Sequence, residues 1–242
     1  MASFDYEIPV NGIHKKFLFD GDKMYLDIKL GKMAFINKRG ANEVYEATRI
    51  ELHVPSEHYI TLGGQTPRYP LEMQIYHNLM VTSNAKNTNR SLKVQRAVVS
   101  ILFSVGDLKE GDVFLSQFGI SGTNVDLSNK PFKYKENEYV GQSNFVVASY
   151  AAGFNIKALQ GLLNIINADH HIYSYYGSAT QPPCAEDVFW IVFARPRSIS
   201  KGQFKFLKNQ LVKHVKGKSL KDAKRKRDLF GNKRIIQVNK QE

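Results

Sequence analysis

Arg49-Ile-Glu-Leu-His-Val-Pro-Ser-Glu-His58 and Leu71-Glu-Met-Gln-Ile-Tyr-His77 alternate polar and apolar side chains. Successive side chains of an extended chain point to opposite faces. Arg49, Glu51 and His53 therefore share one face of the first run, and Ile50, Leu52 and Val54 share the other. By the same rule Glu72, Gln74 and Tyr76 lie opposite Leu71, Met73, Ile75 and His77. Each run reads as a strand with one apolar face and one face rich in nitrogen and oxygen donors.

Runs of the same kind recur along the chain. Residues 23–30, 48–54, 71–77, 97–105, 144–150 and 188–194 all read as strands bounded by Gly, Asn, Pro and Asp clusters. Val98-Val99-Ser100-Ile101-Leu102-Phe103 is apolar on both faces and suits a central strand. Two helices are expected. One starts at Asn155 as N-cap, with Ile156, Leu159, Leu162, Leu163 and Ile166 at helical spacing. The other follows Ser198-Ile199-Ser200, with Phe204, Leu207 and Leu211 on one face. The chain carries no internal repeat and no interdomain linker.

With 242 residues, 43% of them hydrophobic, the chain can bury one large core. No run of about 18 apolar residues is present, so no helical membrane span is expected. Met-Ala-Ser-Phe-Asp-Tyr at the amino terminus lacks the basic-then-apolar layout of a secretory signal. Cys184 is the only cysteine, which excludes an internal disulfide. Together these favour an intracellular setting, cytoplasmic or organellar, the mitochondrion included.

A third run, Tyr176-Gly-Ser-Ala-Thr-Gln-Pro-Pro-Cys184, completes a pattern with the first two. In order and spacing the three resemble the alpha-class carbonic anhydrases, and the likeness extends from about Asp5 to Val238. The resemblance implies a mainly β fold: a large, twisted, mostly antiparallel sheet with short peripheral helices. The family carries His-x-His in the first run and Glu-x-His-x-x-His in the second, and three of these histidines hold a zinc. The matching positions here are Glu51, His53 and Gln74. If the strands pair as in the family, these three converge on one cavity. Two histidines are replaced, and an amide is a poor zinc ligand. The expectation is therefore no catalytic metal and no other cofactor, with weak zinc as the alternative.

Other positions match the family unevenly. Thr180 and Glu57 match its hydroxide-orienting Thr–Glu pair and are retained as vestigial catalytic positions. Trp190 and Val98 match pocket walls. Tyr76 replaces a smaller apolar residue and is expected to fill the pocket, with Ala179, smaller than the usual leucine, making room. Gln181 stands where a second threonine follows, and Ile13 stands at the proton-shuttle position with His14 one residue late. His58 and His77 match structural positions, and His170-His171 carries only a weak signal. Arg49, on the Glu51 face, is expected to form an ion pair with that carboxylate and so fill the old metal site; a solvated face carrying two charges is the alternative.

Charge is the second signal. Residues 201–242 hold 14 Lys plus Arg and 3 Asp plus Glu, a net +11, leaving +1 of the total +12 for residues 1–200. Lys216, Lys218, Lys221, Lys224, Arg225, Lys226 and Arg227 form the densest part and are the expected partner-binding residues. The chain is expected to divide at residue 212 into a carbonic-anhydrase-like domain, 1–212, and a basic extension, 213–242. An acidic protein, an anionic lipid surface or nucleic acid fits the extension. Phe230 is its only aromatic past residue 212, which argues against stacking on single strands.

The expectation from sequence is a non-catalytic carbonic-anhydrase-like protein acting as a structural or interaction subunit of a multisubunit assembly. A metal-dependent carbonate dehydratase or esterase with a rebuilt Glu/His/Gln site is the alternative from a different class. Anionic-partner binding through the basic extension is the third.

Overall fold

The computed structural model describes residues 2–6, 18–20, 23–27, 31–36, 42–61, 67–80, 94–106, 115, 171–180, 183–214 and 234–237. Strands β1 (Ala2–Tyr6), β2 (Leu18–Asp20), β3 (Lys23–Asp27), β4 (Gly31–Ile36), β5 (Asn42–His53), β7 (Leu71–Leu79), β8 (Arg96–Gly106), β9 (Ile172–Gly177), β10 (Val188–Phe193) and β11 (Arg197–Ser200) build one ten-stranded sheet. Its main path runs β1-β4-β5-β7-β8-β10-β9. β3 and β4 share one edge of β5, and β10 and β11 share one edge of β8. Pairing is antiparallel except where β10 and β11 meet β8. Outside this sheet β6 (His58–Thr61) pairs in parallel with β12 (Arg234–Gln237). The expected mainly β, mostly antiparallel architecture is thus the one observed.

The expected strands at 71–77, 97–105 and 188–194 correspond to β7, β8 and β10. The strand at 144–150 and the helix from Asn155 lie outside the described residues. The helix after Ser200 is α1 (Lys201–His214), which runs two residues across the domain boundary expected at 212. Its start is a capping box. The Gln203 backbone N–H donates to Ser200 Oγ at 3.1 Å, and the Ser200 N–H donates to Gln203 Oε1 at 3.2 Å.

The expected strand at 48–54 is the second half of β5, which begins at Asn42. A β-bulge hid the first half. Ala47 pairs with His77, but Arg49 pairs with Tyr76, so Thr48 is an extra residue on β5. Odd-numbered Tyr45 and Ala47 are buried before the bulge, and even-numbered Ile50 and Leu52 after it. The inserted residue flips the alternation and so keeps one face apolar along the whole strand. It also aims Arg49, Glu51 and His53 at the opposite face.

The larger core lies on the apolar face: Ile50 and Leu52 of β5, Met73 and Ile75 of β7, Val99 and Ile101 of β8, Ile191 of β10 and Leu207 of α1. β8 is buried on both sides, since Val98 and Leu102 belong to clusters on the other face. Three strands separate β4 from β10, which would hold them about 19 Å apart in a flat sheet. Yet the Phe35 and Phe189 rings lie 4.5 Å apart between centroids, and Tyr45 stacks on Phe35 at 5.2 Å. The sheet therefore coils strongly, and its concave apolar face closes on itself through aromatic side chains.

Deleting Thr48 is expected to abolish soluble folded protein, because either half of β5 would then turn its charged set into the core. Thr48→Ala keeps the residue count and loses only the 3.3 Å bond from Oγ1 to the Tyr76 carbonyl. It should cost about 1 kcal/mol in urea unfolding.

Candidate functional site

The β5–β7–β8 register builds the polar face. Glu51 pairs with Gln74, His53 with Glu72, and Gln74 with Ser100. Glu51, His53 and Gln74 thus do come together, and all are buried. Glu57 reaches the same cluster from the turn that follows β5. That turn is tightly held: the Ser56 N–H donates to the Tyr69 carbonyl at 2.9 Å, and Ser56 Oγ donates to the His58 carbonyl at 2.9 Å.

Glu72 is the hub, and the sequence reading gave it no role. Its Oε2 accepts from the backbone N–H groups of Glu57 at 2.8 Å and His58 at 2.9 Å. Its Oε1 accepts from His58 Nδ1 at 2.6 Å, Ser100 Oγ at 2.7 Å and Gln74 Nε2 at 2.8 Å. Burial disfavours ionisation, but His58 and, further off, His53 hold the carboxyl well below the usual carboxylate range. The far nitrogen of His58 lies 2.7 Å from the Tyr175 hydroxyl. The available signal was a lone carboxylate in an apolar strand, on the same face as Gln74.

His53 is enclosed by carboxylates. Its Nε2 lies 3.2 Å from Glu51 Oε2, and its Nδ1 lies 3.5 Å from Glu57 Oε1. Burial alone would pull its pKa down, but the charges of Glu57, Glu51 and Glu72 outweigh it and raise the group to about 9. Both ring nitrogens then carry protons aimed at carboxylates, and neither offers a lone pair. Burial raises the Glu57 carboxyl above its ordinary value, against the pull of His53.

Gln74 is equally committed. Its Nε2 donates to Glu57 Oε2 at 2.9 Å as well as to Glu72, and its Oε1 accepts from the Tyr76 hydroxyl at 2.7 Å. The reverse amide orientation would set an oxygen against two carboxylates. Tyr76 is also hydrogen-bonded to Thr180. Val98, Ala179 and Trp190 form one apolar cluster with Val188, and Tyr76 packs against it beside Tyr175. The Trp190 Nε1–H donates to the Ser178 carbonyl at 3.2 Å.

Arg49 forms the expected ion pair with Glu51, its Nη1 lying 3.5 Å from Oε1, but its closer partner is Asp27, at 2.5 Å from Nε. It also stacks on the Tyr25 ring, 4.4 Å from the centroid. Asp27 is directly opposite Arg49 in the β3–β5 register, whereas Glu51 is two residues along the same strand. The directly opposed cross-strand pair prevails, and Arg49 sits at the rim with 37% of its side chain exposed. His53 supplies the nearer positive group for Glu51. His77, on the core face, donates from Nδ1 to the Ala97 carbonyl at 3.2 Å. Burial drives its pKa down to about 4. Ile13, His14, His170, Gln181 and the seven basic residues from Lys216 to Arg227 lie outside the described residues. β12 does fix one point beyond them: residues 215–233 connect α1 to a strand that returns to β6, where Arg234 pairs with His58.

Two buried histidines give opposite pH slopes. His53 has a folded pKa of about 9 against an ordinary 6.5, so its contribution is complete below 6.5 and is lost as pH rises through 9. His77 has a folded pKa of about 4 against the same 6.5, so stability falls as pH drops from 6.5 to 4. Glu72 adds further loss in acid. Urea midpoints should peak near pH 6.5 and fall on both sides, each histidine being worth about 3 kcal/mol. His77→Leu should flatten the acid limb and leave the alkaline limb in place.

A family model for eukaryotic-type carbonic anhydrases matches residues 6–240. Among curated proteins, carbonic anhydrase Nec1 of Nesocodon mauritianus is 27% identical over 173 residues, which are 71% of this chain and 49% of that protein. Carbonic anhydrase 6 of Homo sapiens is 32% identical over 198 residues, 78% of this chain and 62% of that protein. The chain thus spans about half the length of the first of these relatives and under two thirds of the second. Among solved structures, a halotolerant carbonic anhydrase from Dunaliella salina superposes with a TM-score of 0.54 at 22% identity, covering 95% of this chain and 72% of that one, a likeness of fold. With the family model spanning almost every residue, the chain belongs to the eukaryotic-type carbonic anhydrase family.

Proposed function

We propose that this chain is a non-catalytic member of its family, serving through protein partners as a structural or interaction subunit of a larger assembly. The observation that carries this reading is the closure of the family's metal position by the chain's own hydrogen bonds. A catalytic zinc of this family needs three neutral histidines and an open position for water, the arrangement for which carbonic anhydrase is the standard example. Here His53 turns both nitrogens toward carboxylates, Gln74 turns its nitrogen inward, and its oxygen accepts from Tyr76. Glu51 faces His53 rather than an empty cavity. This donor set does not fit zinc, and no cofactor is assigned. Thr180 and Glu57, at the positions of the hydroxide-orienting pair, are tied into the same network through Tyr76 and Gln74.

A rigid coiled sheet with a self-satisfied polar centre suits a platform whose work is done on its surface. The single cysteine supports a reducing, intracellular compartment, cytoplasmic or organellar. The basic segment 213–242 supports an acidic protein, anionic lipid or nucleic acid as an additional contact.

Elemental analysis of the native chain, dialysed without chelator, should find zinc far below one per chain and no hydration of carbon dioxide. Near-stoichiometric zinc would establish the rebuilt-site enzyme instead. The double variant Glu51→His, Gln74→His should take up near-stoichiometric zinc while remaining a poor hydratase, because Tyr76 still packs against the pocket wall. A folded double variant holding no more zinc than the native chain would show that the ligand positions are not what closes the site.

A further inference from the structure

His58 has a polar partner at each ring nitrogen. Its Nδ1 lies 2.6 Å from Glu72 Oε1, and its Nε2 lies 2.7 Å from the Tyr175 hydroxyl. The ionised Glu72 carboxylate can only accept, so Nδ1 carries the proton of that bond. In the neutral ring the lone pair is then on Nε2, facing the Tyr175 O–H. His58 is tied to Glu72 a second time by its backbone N–H, and both side chains are fully buried, which fixes the ring. A carboxylate, an imidazole and a hydroxyl in that order are an orienting group, a base and the O–H that the base can deprotonate. None of the three stands at residues 51, 53 or 74, and a structural role for the chain leaves the Tyr175 proton unused.

We propose that Tyr175 is a redox-active tyrosine, oxidised by a one-electron oxidant of the peroxyl-radical or high-valent-metal class, with His58 as the acceptor of its proton. One electron leaves the phenol for the oxidant, the O–H bond breaks, and an N–H bond forms at His58 Nε2. The products are a neutral tyrosyl radical, an imidazolium and the oxidant reduced by one electron. A phenol gives up an electron far more readily when its proton can leave in the same step, and 2.7 Å is within reach for that transfer. The imidazolium forms beside the Glu72 carboxylate, so the new buried charge is paired from the outset. Two other buried or half-buried tyrosines are less well served. Tyr76 donates to the amide oxygen of Gln74, which is a very weak base, and Tyr45 donates to the Glu43 carboxylate, a weaker base than imidazole. Trp190, the one tryptophan of the chain, is the cross-strand partner of Tyr175, with ring centroids 6.2 Å apart and planes 11° from parallel. Its N–H donates to the Ser178 carbonyl, which is no base, so an electron vacancy that reaches Trp190 passes on to Tyr175.

Freeze-quench electron paramagnetic resonance on the full chain tests it, with tris(bipyridyl)ruthenium(III) generated by a light flash as the oxidant. A tyrosyl radical signal is expected in the native chain. Tyr175→Phe keeps the ring against Trp190 and should lose most of that signal. Tyr176→Phe should keep it, although Tyr176 is 44% exposed and Tyr175 only half-exposed, so exposure alone predicts the reverse. His58→Gln keeps a donor for Glu72 but removes the base, and should lose the signal as Tyr175→Phe does. The radical should also form more slowly in heavy water in the native chain, a readout that needs no variant to fold. Absence of a tyrosyl signal in the native chain overturns the proposal, as does a signal that survives Tyr175→Phe or disappears in Tyr176→Phe. A folded His58→Gln chain with undiminished signal, or equal rates in light and heavy water, overturns the part assigned to His58 and with it the proposal.

Discussion

The carboxylate of Glu72 is the constraint around which the polar centre is arranged. A charge with no solvent exposure costs several kcal/mol unless every lone pair is answered. Five donors answer it here, two from the backbone and three from side chains. They come from the turn after β5, from β6, from β7 itself and from β8, so one side chain fixes three strands and a turn against each other. The backbone donors also explain why the turn needs the conformation it has. Glu57 and His58 can both aim N–H groups at one oxygen only because Ser56 holds the chain back against Tyr69.

Fixing Glu72 leaves two more carboxylates, Glu51 and Glu57, in the same low-dielectric space. In the family's zinc-bearing members a divalent cation dominates the local field. Here the side chains themselves supply balancing groups. His53 lies between Glu51 and Glu57 as a shared cation, and Gln74 gives a neutral pair of donors to Glu57 and Glu72. A histidine at residue 74 would answer one carboxylate through one nitrogen and leave the other bare or compete for charge with His53. An amide donates twice from one nitrogen and takes the Tyr76 proton on its oxygen. Glu51, Gln74 and Tyr76 thus belong to one network, linked through His53 and Glu57.

Much of this was legible in the sequence, and the failures have physical causes. Strict alternation exposed β7, and two-sided hydrophobicity exposed β8 as central. Ser200 and Gln203 form the capping box at the start of α1. The first half of β5 was missed because the extra residue at Thr48 breaks the period on which such reading depends. β9 was missed because it alternates exposed with half-buried positions and has no strongly apolar face. At the site, the convergence of Glu51, His53 and Gln74 followed from the family likeness and strand alternation. The closer partner of Arg49 did not, because Asp27 lies 22 residues away and becomes its neighbour only through the β3–β5 register. Glu72 was visible as a residue but not as a hub, since four of its five donors belong to turn and strand positions that no local pattern brings together.

The distribution of charge follows from the same division of labour. A centre that neutralises its own carboxylates with its own histidine and amide needs little net charge from the surrounding domain, and residues 1–200 carry only +1. The excess lies in the last 42 residues, where α1 is bound to the core by one side and β12 returns to β6 beside the Glu72 turn. The basic stretch between them is therefore anchored at both ends to the framework that Glu72 organises. Like charges at that density repel one another. Anchoring works against that repulsion, and a surface of opposite sign relieves it. The carboxylates of the Glu72 centre are answered from within it, whereas nearly all of the chain's net charge lies in its last 42 residues.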